Sequence, residues 1–340
     1  MSTVSLPSTM RAAQWSKISG GLESSLKPTT AAKFPKGAQP LGATSTLVKV
    51  AYAAINPVDY KLAELPVVNR FLFGRTATPG LDFAGTVVST NLAHLKPGQR
   101  VFGQAKTGSL AEYAVVEKGS IAPLPDNVSF RDAATIGVAG LTAYQCIAPY
   151  VKPGAKVLVN GGSGGVGTFV IQAAKAAGAS TVTAICSGPN AELCKSLGAD
   201  EVIDYRAENP VAALKRSGRQ YDHVVDTVFH SADMYWNCHH YLKPHGIYVS
   251  IAGNISPRGM WDLVSVSLWP KWLGGGQRKF FQLMEKPNPR DYELVAQWMS
   301  EGKIKPVVEE EFALEDAGKA FARLKTGRTR GKLVVRVAGE

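Results

Sequence analysis

From about residue 46 the chain alternates apolar and polar positions over short spans broken by Gly and Pro. TLVKVAYAAI (46–55), GTVVS (85–89), QRVFGQ (99–104) and AEYAVVE (111–117) are predicted strands. Sustained helical periodicity is scarce there, which predicts a β-rich domain over residues 1–125, in form a partly open barrel. Residues 1–9 carry neither rhythm and are expected to be a loose leader.

The rhythm changes near Asp126. KVLVN (156–160), TVTAIC (181–186), EVIDY (201–205), HVVDTV (223–228) and IYVSIA (247–252) are short, mostly apolar runs, as in a parallel sheet covered on both faces. KFFQLM (279–284) reads as a sixth strand. Val166, Phe169, Val170, Ala173, Ala174 and Ala177 mark one face of a helix ended by Gly178, and NAELCKSLG (190–198) is a second helix closed by Gly198. Residues 126–285 therefore predict an α/β doubly wound parallel sheet. β patterning returns over 286–340, where KPVVEEEF (305–312) and KLVVRV (332–337) flank the helical LEDAGKAFARLKTG. The C-terminus is expected to complete the first domain.

The junction NGGSGGVG (160–167) lies between the strand KVLVN and the following helix, and two chemistries fit it. Gly162, Gly164 and Gly167 match the G-x-G-x-x-G loop that cradles a dinucleotide pyrophosphate, with Ser163, Gly165 and Val166 inside it. Gly161, Ser163 and Gly165 match the G-x-S-x-G elbow of a hydrolase, for which Asp226 and His245 could be drafted as partners. The dinucleotide reading is favoured: KVLVN looks like the first strand of its sheet, no oxyanion loop precedes it, and only that reading explains Gly167. An NAD site usually ends its second strand in Asp or Glu. Here the stretch is AICSGPN (184–190), with no acid before Glu192. Ser187, Gly188 and Asn190 leave room for a 2′-phosphate, and Lys195, Tyr205, Arg328 or Arg330 could supply donors and charge. NADP(H) is therefore expected over NAD(H). The alternative reading of CSGPN is a turn that merely caps the next helix.

Composition changes the picture little. A chain of 340 residues suits about two domains, and the net charge of +11 suits an anionic cofactor as well as a solvated basic surface. Seven Lys or Arg and no acid lie between Lys319 and Arg336, without the interleaved aromatics of RNA-binding segments, so no nucleic-acid partner is expected. The four cysteines show no C-x-x-C spacing and read as reduced thiols in a cytoplasmic setting. No run of about 18 apolar residues is present to span a membrane.

Taken in order, NPVDYK (56–61), PGLDFAGTVV (79–88), GSLAEYAVV (108–116), AATIGVAGLTAYQCI (133–147), VLVNGGSGGVG, SLGADEVIDY (196–205), EGKIKPVV (301–308) and TGRTRGKLVV (326–335) resemble the medium-chain dehydrogenase/reductase superfamily, in particular its zinc-free quinone-oxidoreductase-like branch. The resemblance covers most of residues 45–337. It implies a GroES-like domain, split in sequence, around a Rossmann domain, with NADPH in the cleft between them.

Zinc-dependent members carry a Cys near the position of Asn56 and G-H-E where this chain has Gly80-Leu81-Asp82. Asp82 alone cannot hold the ion, and the adjacent His239 and His240 are expected to diverge, so no metal is expected. The resemblance further implies hydride transfer from NADPH to quinones, enals or enones. It places Asn56 beside the nicotinamide ribose, Tyr60 and Lys61 in the substrate pocket as donors or orienters, and Thr142, Ala252 and Gly253 near the nicotinamide. The bland alternatives are a Pro-fixed turn for NPVDYK and a packed aromatic for Tyr60. The expected substrate is small, apolar and activated by a carbonyl, and relatives often pair their sixth strands in a homodimer.

In residues 254–281, Trp261, Val264, Leu268 and Trp272 recur at helical spacing, interrupted by Pro270. This segment fits a core or subunit-contact helix, a lid over a bulky substrate, or peripheral contact with a membrane. A non-redox descendant of the fold, a cyclase, an isomerase or an NADP(H)-binding protein, is the rival function; a strongly acidic or basic residue at the nicotinamide pocket would favour it, and Asp59 and Asp82 are the residues to watch.

Overall fold

The computed structural model describes residues 6–338 except 67, 68, 70, 72, 74, 75, 253–255 and 274. The chain forms two compact units. The first comprises residues 1–141, 286–302 and 306–340, and the second residues 142–285 with 303–305. Residues 126–141, which the change of rhythm groups with the second domain, belong to the first unit.

In the first unit, β1 (Met10–Gln14) and β2 (Lys27–Ala32) form a small antiparallel sheet. The main sheet is built from β3 (Ser45–Ala54), β4 (Asp82–Thr90), β5 (Arg100–Gln104), β6 (Tyr113–Glu117) and β7 (Ile121–Pro123). Two C-terminal strands, which follow the second unit in sequence and are numbered β14 (Val308–Ala313) and β15 (Lys332–Arg336), join it. Their order is β14-β15-β3-β4-β5-β7, with β6 also on β3. β3 pairs along one edge with β4. Its other edge is divided, Ser45–Lys49 pairing with β6 and Tyr52–Ala54 with β15. Nine of its ten residues are buried, so its sequence lacks a clean polar face. The core gathers Val48, Val50, Phe83, Val101 and Ile121 with Phe321, Leu333 and Val335 from the returning C-terminal segment. Burial of these C-terminal side chains with the N-terminal strands makes one core from two distant stretches of chain.

The second unit contains β8 (Lys156–Asn160), β9 (Thr181–Cys186), β10 (Glu201–Asp204), β11 (Tyr221–Asp226), β12 (Leu242–Ser250) and β13 (Lys279–Gln282). All pairings are parallel and the order is β10-β9-β8-β11-β12-β13. The direction of winding reverses between β8 and β11, and ligands of such sheets bind outside the strand carboxyl ends at that point. Asn160 and Asp226 end these two strands, and Asn160 Nδ2 donates to Asp226 Oδ1 at 2.8 Å. The fold is thus an α/β doubly wound sheet plus a GroES-like β-rich unit. The helix Pro257–Leu268 carries the Trp-rich stripe, started by Ser256, whose side chain accepts from the Gly259 amide. Trp261, Leu268 and Trp272 are exposed, and Trp236, Trp261, Trp269 and Leu273 line a shallow pocket of about 340 Å³. No helix among the described residues is long and apolar enough to cross a membrane.

Candidate active site

β8 feeds the helix Gly165–Ala176 through the turn 161–164. A Cβ on Gly167 would lie 2.1 Å from the Gly161 carbonyl oxygen, so the helix can approach the strand this closely only with glycine there. Gly162 is also enclosed: its Cβ would meet Ala184 Cβ at 2.9 Å and Cys194 Sγ at 3.3 Å. Gly164 is the N-cap. The first-turn amides of Gly165, Val166 and Gly167 precede the first intrahelical acceptor and favour an anion.

The second strand–helix turn is tied to the first. Asn190 Nδ2 donates to Ser163 Oγ at 3.0 Å and to Ser187 Oγ at 3.2 Å. Each serine therefore keeps its own O–H proton for an outside acceptor. Ser163 meets Asn190 rather than a histidine, and Asp226 is occupied otherwise. Asp226 Oδ1 accepts the Val228 and Phe229 amides at 2.9 and 2.8 Å, and Oδ2 accepts Tyr248 Oη at 2.5 Å. The drafted hydrolase triad does not assemble.

Sequence reasoning missed an acid at this edge. The parallel register sets Asp204 opposite Cys186, and a Cβ on Gly188 would lie 2.4 Å from Asp204 Oδ2. Asp204 Oδ1 accepts the Arg206 amide at 2.9 Å. Tyr205, just past β10, is exposed, with the Arg206 guanidinium 5.9 Å from its ring centre. Lys195 is exposed and pairs with Glu192 at 3.0 Å. Thr142 is buried at the start of the second unit, and Ala252 accepts Ser250 Oγ at 3.2 Å. Gly253 lies outside the described residues. Arg328 and Arg330 are exposed residues of the first unit, in the loop before β15.

In the first unit NPVDYK begins the helix Pro57–Ala63. Asn56 is its N-cap in a reciprocal capping box with Asp59, whose Oδ2 accepts the Asn56 amide at 2.7 Å. Asn56 Nδ2 donates to Asp82 Oδ2 at 2.8 Å, and the Val138 amide donates to Asp82 Oδ1 at 2.7 Å. Gly137 allows that approach, since its Cβ would lie 2.3 Å from Asp82 Oδ1. Sequence reasoning treated Lys332 only as part of the basic tail. Its Nζ donates to Asn56 Oδ1 at 2.5 Å and to the Ile55 carbonyl at 3.1 Å, and lies 3.5 Å from Asp82 Oδ2. A glycine–lysine pair entering a final apolar strand offered no local sign of this contact.

Asn56, Asp59, Asp82 and Lys332 are all buried. Burial raises the Asp59 carboxyl to about 8, the nearby Asp82 adds to that rise, and the Asn56 amide and Lys332 oppose it without cancelling it. Burial also pushes Asp82 up and Lys332 down. One ammonium can neutralise one carboxylate. Asp82 accepts Asn56 and Val138 and faces Lys332, whereas Asp59 Oδ1 is buried with no hydrogen-bond partner among the described residues. The proton therefore sits on Asp59 near neutral pH, with Asp82 and Lys332 as the ion pair.

Asp59 Oδ2 and both Asp82 oxygens are spent inside this network. An ammonium here, beside an amide and one carboxylate, does not fit a zinc centre. Among the described residues no group of three His, Cys, Asp or Glu is placed to hold a metal. His239 and His240 do not diverge as expected: a 3₁₀ turn at Cys238–His240 brings their ring centres to 4.0 Å.

Tyr60 is half-buried against the first core, and Lys325 Nζ lies 5.2 Å from its ring centre. Lys325 is held by Glu23 and Glu64. Burial raises the Tyr60 phenol, which keeps it protonated at neutral pH. Lys61 is half-buried on the same helix.

Residues 42–126 match the family model of the alcohol dehydrogenase GroES-like domain, and residues 197–335 match that of the zinc-binding dehydrogenase. The chain is 42% identical to the trans-enoyl reductase pgmF of Aspergillus terreus, over 98% of this chain and 97% of that protein. The chain belongs to the medium-chain dehydrogenase/reductase superfamily, in its zinc-free quinone-oxidoreductase-like branch. A chloroplastic quinone-oxidoreductase homolog of Spinacia oleracea is 30% identical, over 96% of this chain and 98% of that one. The solved quinone oxidoreductase of Coxiella burnetii superposes with a TM-score of 0.82 at 29% identity, covering 96% of this chain and 99% of that one. This medium-chain dehydrogenase/reductase is an oxidoreductase, and the superfamily fold implies a nicotinamide cofactor.

Proposed function

We propose that this oxidoreductase uses NADPH to reduce quinones or C=C bonds activated by a carbonyl group. The observation that carries the reading is the joining of the two strand–helix turns, where Asn190 leaves the protons of Ser163 and Ser187 available beside the glycine loop. When bound, NADPH supplies a hydride to the electron-poor carbon. The amides of Gly165, Val166 and Gly167 suit the pyrophosphate, with Gly164 leaving the backbone open to it and Gly162 packing the turn against Ala184 and Cys194. Ser187, Gly188, Tyr205 and Arg330 suit the 2′-phosphate, while Thr142, Ala252 and Gly253 suit the nicotinamide. Asn56 orients the nicotinamide ribose. Tyr60, as a neutral phenol, or Lys61 holds the proton that the developing enolate takes up. The names of the Aspergillus and Spinacia relatives support both acceptor classes. A homodimer fits the position of β13 at the sheet edge, and a cytoplasmic setting fits four buried free cysteines.

One observation favours a second cofactor reading. The Asp204 carboxylate beside Gly188 would repel a 2′-phosphate and could accept ribose hydroxyls, as an NADH site requires. Fluorescence titration with NADPH and NADH decides between them, and addition of quinone and enone panels then tests the chemistry. Tighter NADPH binding with oxidation on adding an acceptor supports the proposal. Tighter NADH binding assigns Asp204 to the ribose. Binding without turnover on any acceptor overturns the reductase reading.

A further inference from the structure

Lys332 has three polar neighbours in a buried site, two of them functional groups of NPVDYK and the strand that follows it. Its Nζ takes the Asn56 side-chain oxygen and the Ile55 carbonyl, and faces Asp82. Asn56 Nδ2 donates one proton to Asp82, so its plane and its flip state are both set: the oxygen must face the ammonium and the nitrogen the carboxylate. Asp82 in turn fixes the Val138 amide in the π-helical turn Ile136–Gly140, and the helix carrying Thr142 begins at the next residue, Leu141. Such π turns favour functional sites because they re-aim the residues that follow.

We propose that Lys332 is the positioning residue of this site, its buried ammonium locking Asn56 and Asp82 in one arrangement and thereby fixing the groups that receive the nicotinamide. The lysine itself touches no reactant. It acts as a fixed scaffold and not as a Lewis acid. The geometry of Asn56 is held from one side by a positive group and from the other by a negative one, so neither a neutral donor nor a lone carboxylate reproduces it. A side chain held in this way loses no freedom when the ligand arrives. This inference rests on the cofactor reading above, through the role of Asn56.

The test compares the full-length wild type with the charge-neutral double variant Asp82→Asn/Lys332→Met and with Lys332→Arg. Removing both charges avoids an uncompensated buried ion, and the double variant is expected to keep a cooperative thermal transition. With that fold retained, its NADPH dissociation constant rises at least about threefold and its kcat on a quinone falls roughly tenfold or more, while KM for the quinone changes little. Lys332→Arg keeps the charge and recovers at least about half of the lost affinity on a logarithmic scale. A double variant that folds and matches the wild type in both NADPH affinity and kcat overturns the proposal. Should the double variant not fold, Lys332→Arg decides alone. Its fork cannot reproduce the three contacts of a single ammonium, so a roughly threefold loss of kcat at unchanged melting temperature is expected, and wild-type values overturn the proposal. Failure of the nicotinamide reading looks different, because the wild type itself then binds neither NADPH nor NADH and that result removes both, whereas a wild type that prefers NADH is put through the same comparison with NADH.

Discussion

The two polar clusters of this protein are built in opposite ways. The serine–asparagine cluster in the second unit is local: Ser163, Ser187 and Asn190 lie on two successive strand–helix turns, neutral, partly open and backed by glycine. The Asn56 cluster in the first unit is charged, buried and assembled across 276 residues of chain. A neutral cluster at a helix start can be rebuilt by any sequence that keeps the turn. A buried ion pair between distant strands depends on both partners arriving, because either charge alone is a liability. The difference teaches where each unit is vulnerable: the second to added atoms, the first to removed charge.

The largest effect should come from breaking the charged cluster on one side only. Lys332→Met alone leaves Asp82 buried without its cation and should cost about 3–5 kcal/mol of stability in a denaturant titration, far more than the double variant with Asp82→Asn. Equal costs for the single and double variants would show that the charges are not coupled. Next, Gly167→Val adds atoms where a Cβ already falls 2.1 Å from a carbonyl oxygen. It should cost roughly 1–3 kcal/mol and abolish NADPH binding by fluorescence, while Asn56-side substitutions leave that loop intact.

A pH series sharpens the contrast further. Asp59 is raised from 3.8 to about 8 in the folded protein. The folded state therefore holds its proton more tightly than the unfolded chain. The associated stability is complete below the unfolded value and is lost as pH rises through about 8. Asp59 faces Asp82, which adds to its rise, and Lys332, which opposes it. Relative to Asp59→Asn, the wild type should lose up to about 4 kcal/mol between pH 5 and pH 8.5, read by thermal melts. A constant difference across that range would move the shared proton off Asp59. The smallest effect belongs to the neutral cluster. Asn190→Ala removes two side-chain hydrogen bonds at a half-buried site and should weaken NADPH binding by about 1 kcal/mol, with little change in melting temperature.

Legibility in the sequence follows the same division. TVTAIC matches β9 at both ends and KVLVN matches β8, because parallel strands buried on both faces are continuous apolar runs. Gly167 announces itself by spacing, since the requirement it meets lies within one turn of chain. β1 and β2 went unread: β2 is KPTTAA, mostly exposed, with no apolar alternation to detect. Asp204 was in view as part of EVIDY, but its approach to Gly188 arises from the register of β10 on β9, which a linear reading does not contain. The histidine pair failed for a local reason, because neither helical nor extended geometry holds at 238–240. Lys332 was invisible for the opposite reason: nothing near it in sequence is its partner.

The divided edge of β3 sets an order of events during synthesis. Ser45–Lys49 finds β6 soon after it is made, but Tyr52–Ala54 must wait for β15. Asn56 leaves the ribosome 276 residues ahead of Lys332, a delay of roughly 14–55 s at ordinary elongation rates. By the end of that interval all six strands of the second unit have been translated, while three residues along one edge of the longest strand are still open and Asp82 has no counter-ion. The nascent chain is therefore most exposed to stray strand pairing just before its last strand arrives, and the closing ammonium serves as a seal on a molecule whose other parts have had time to settle.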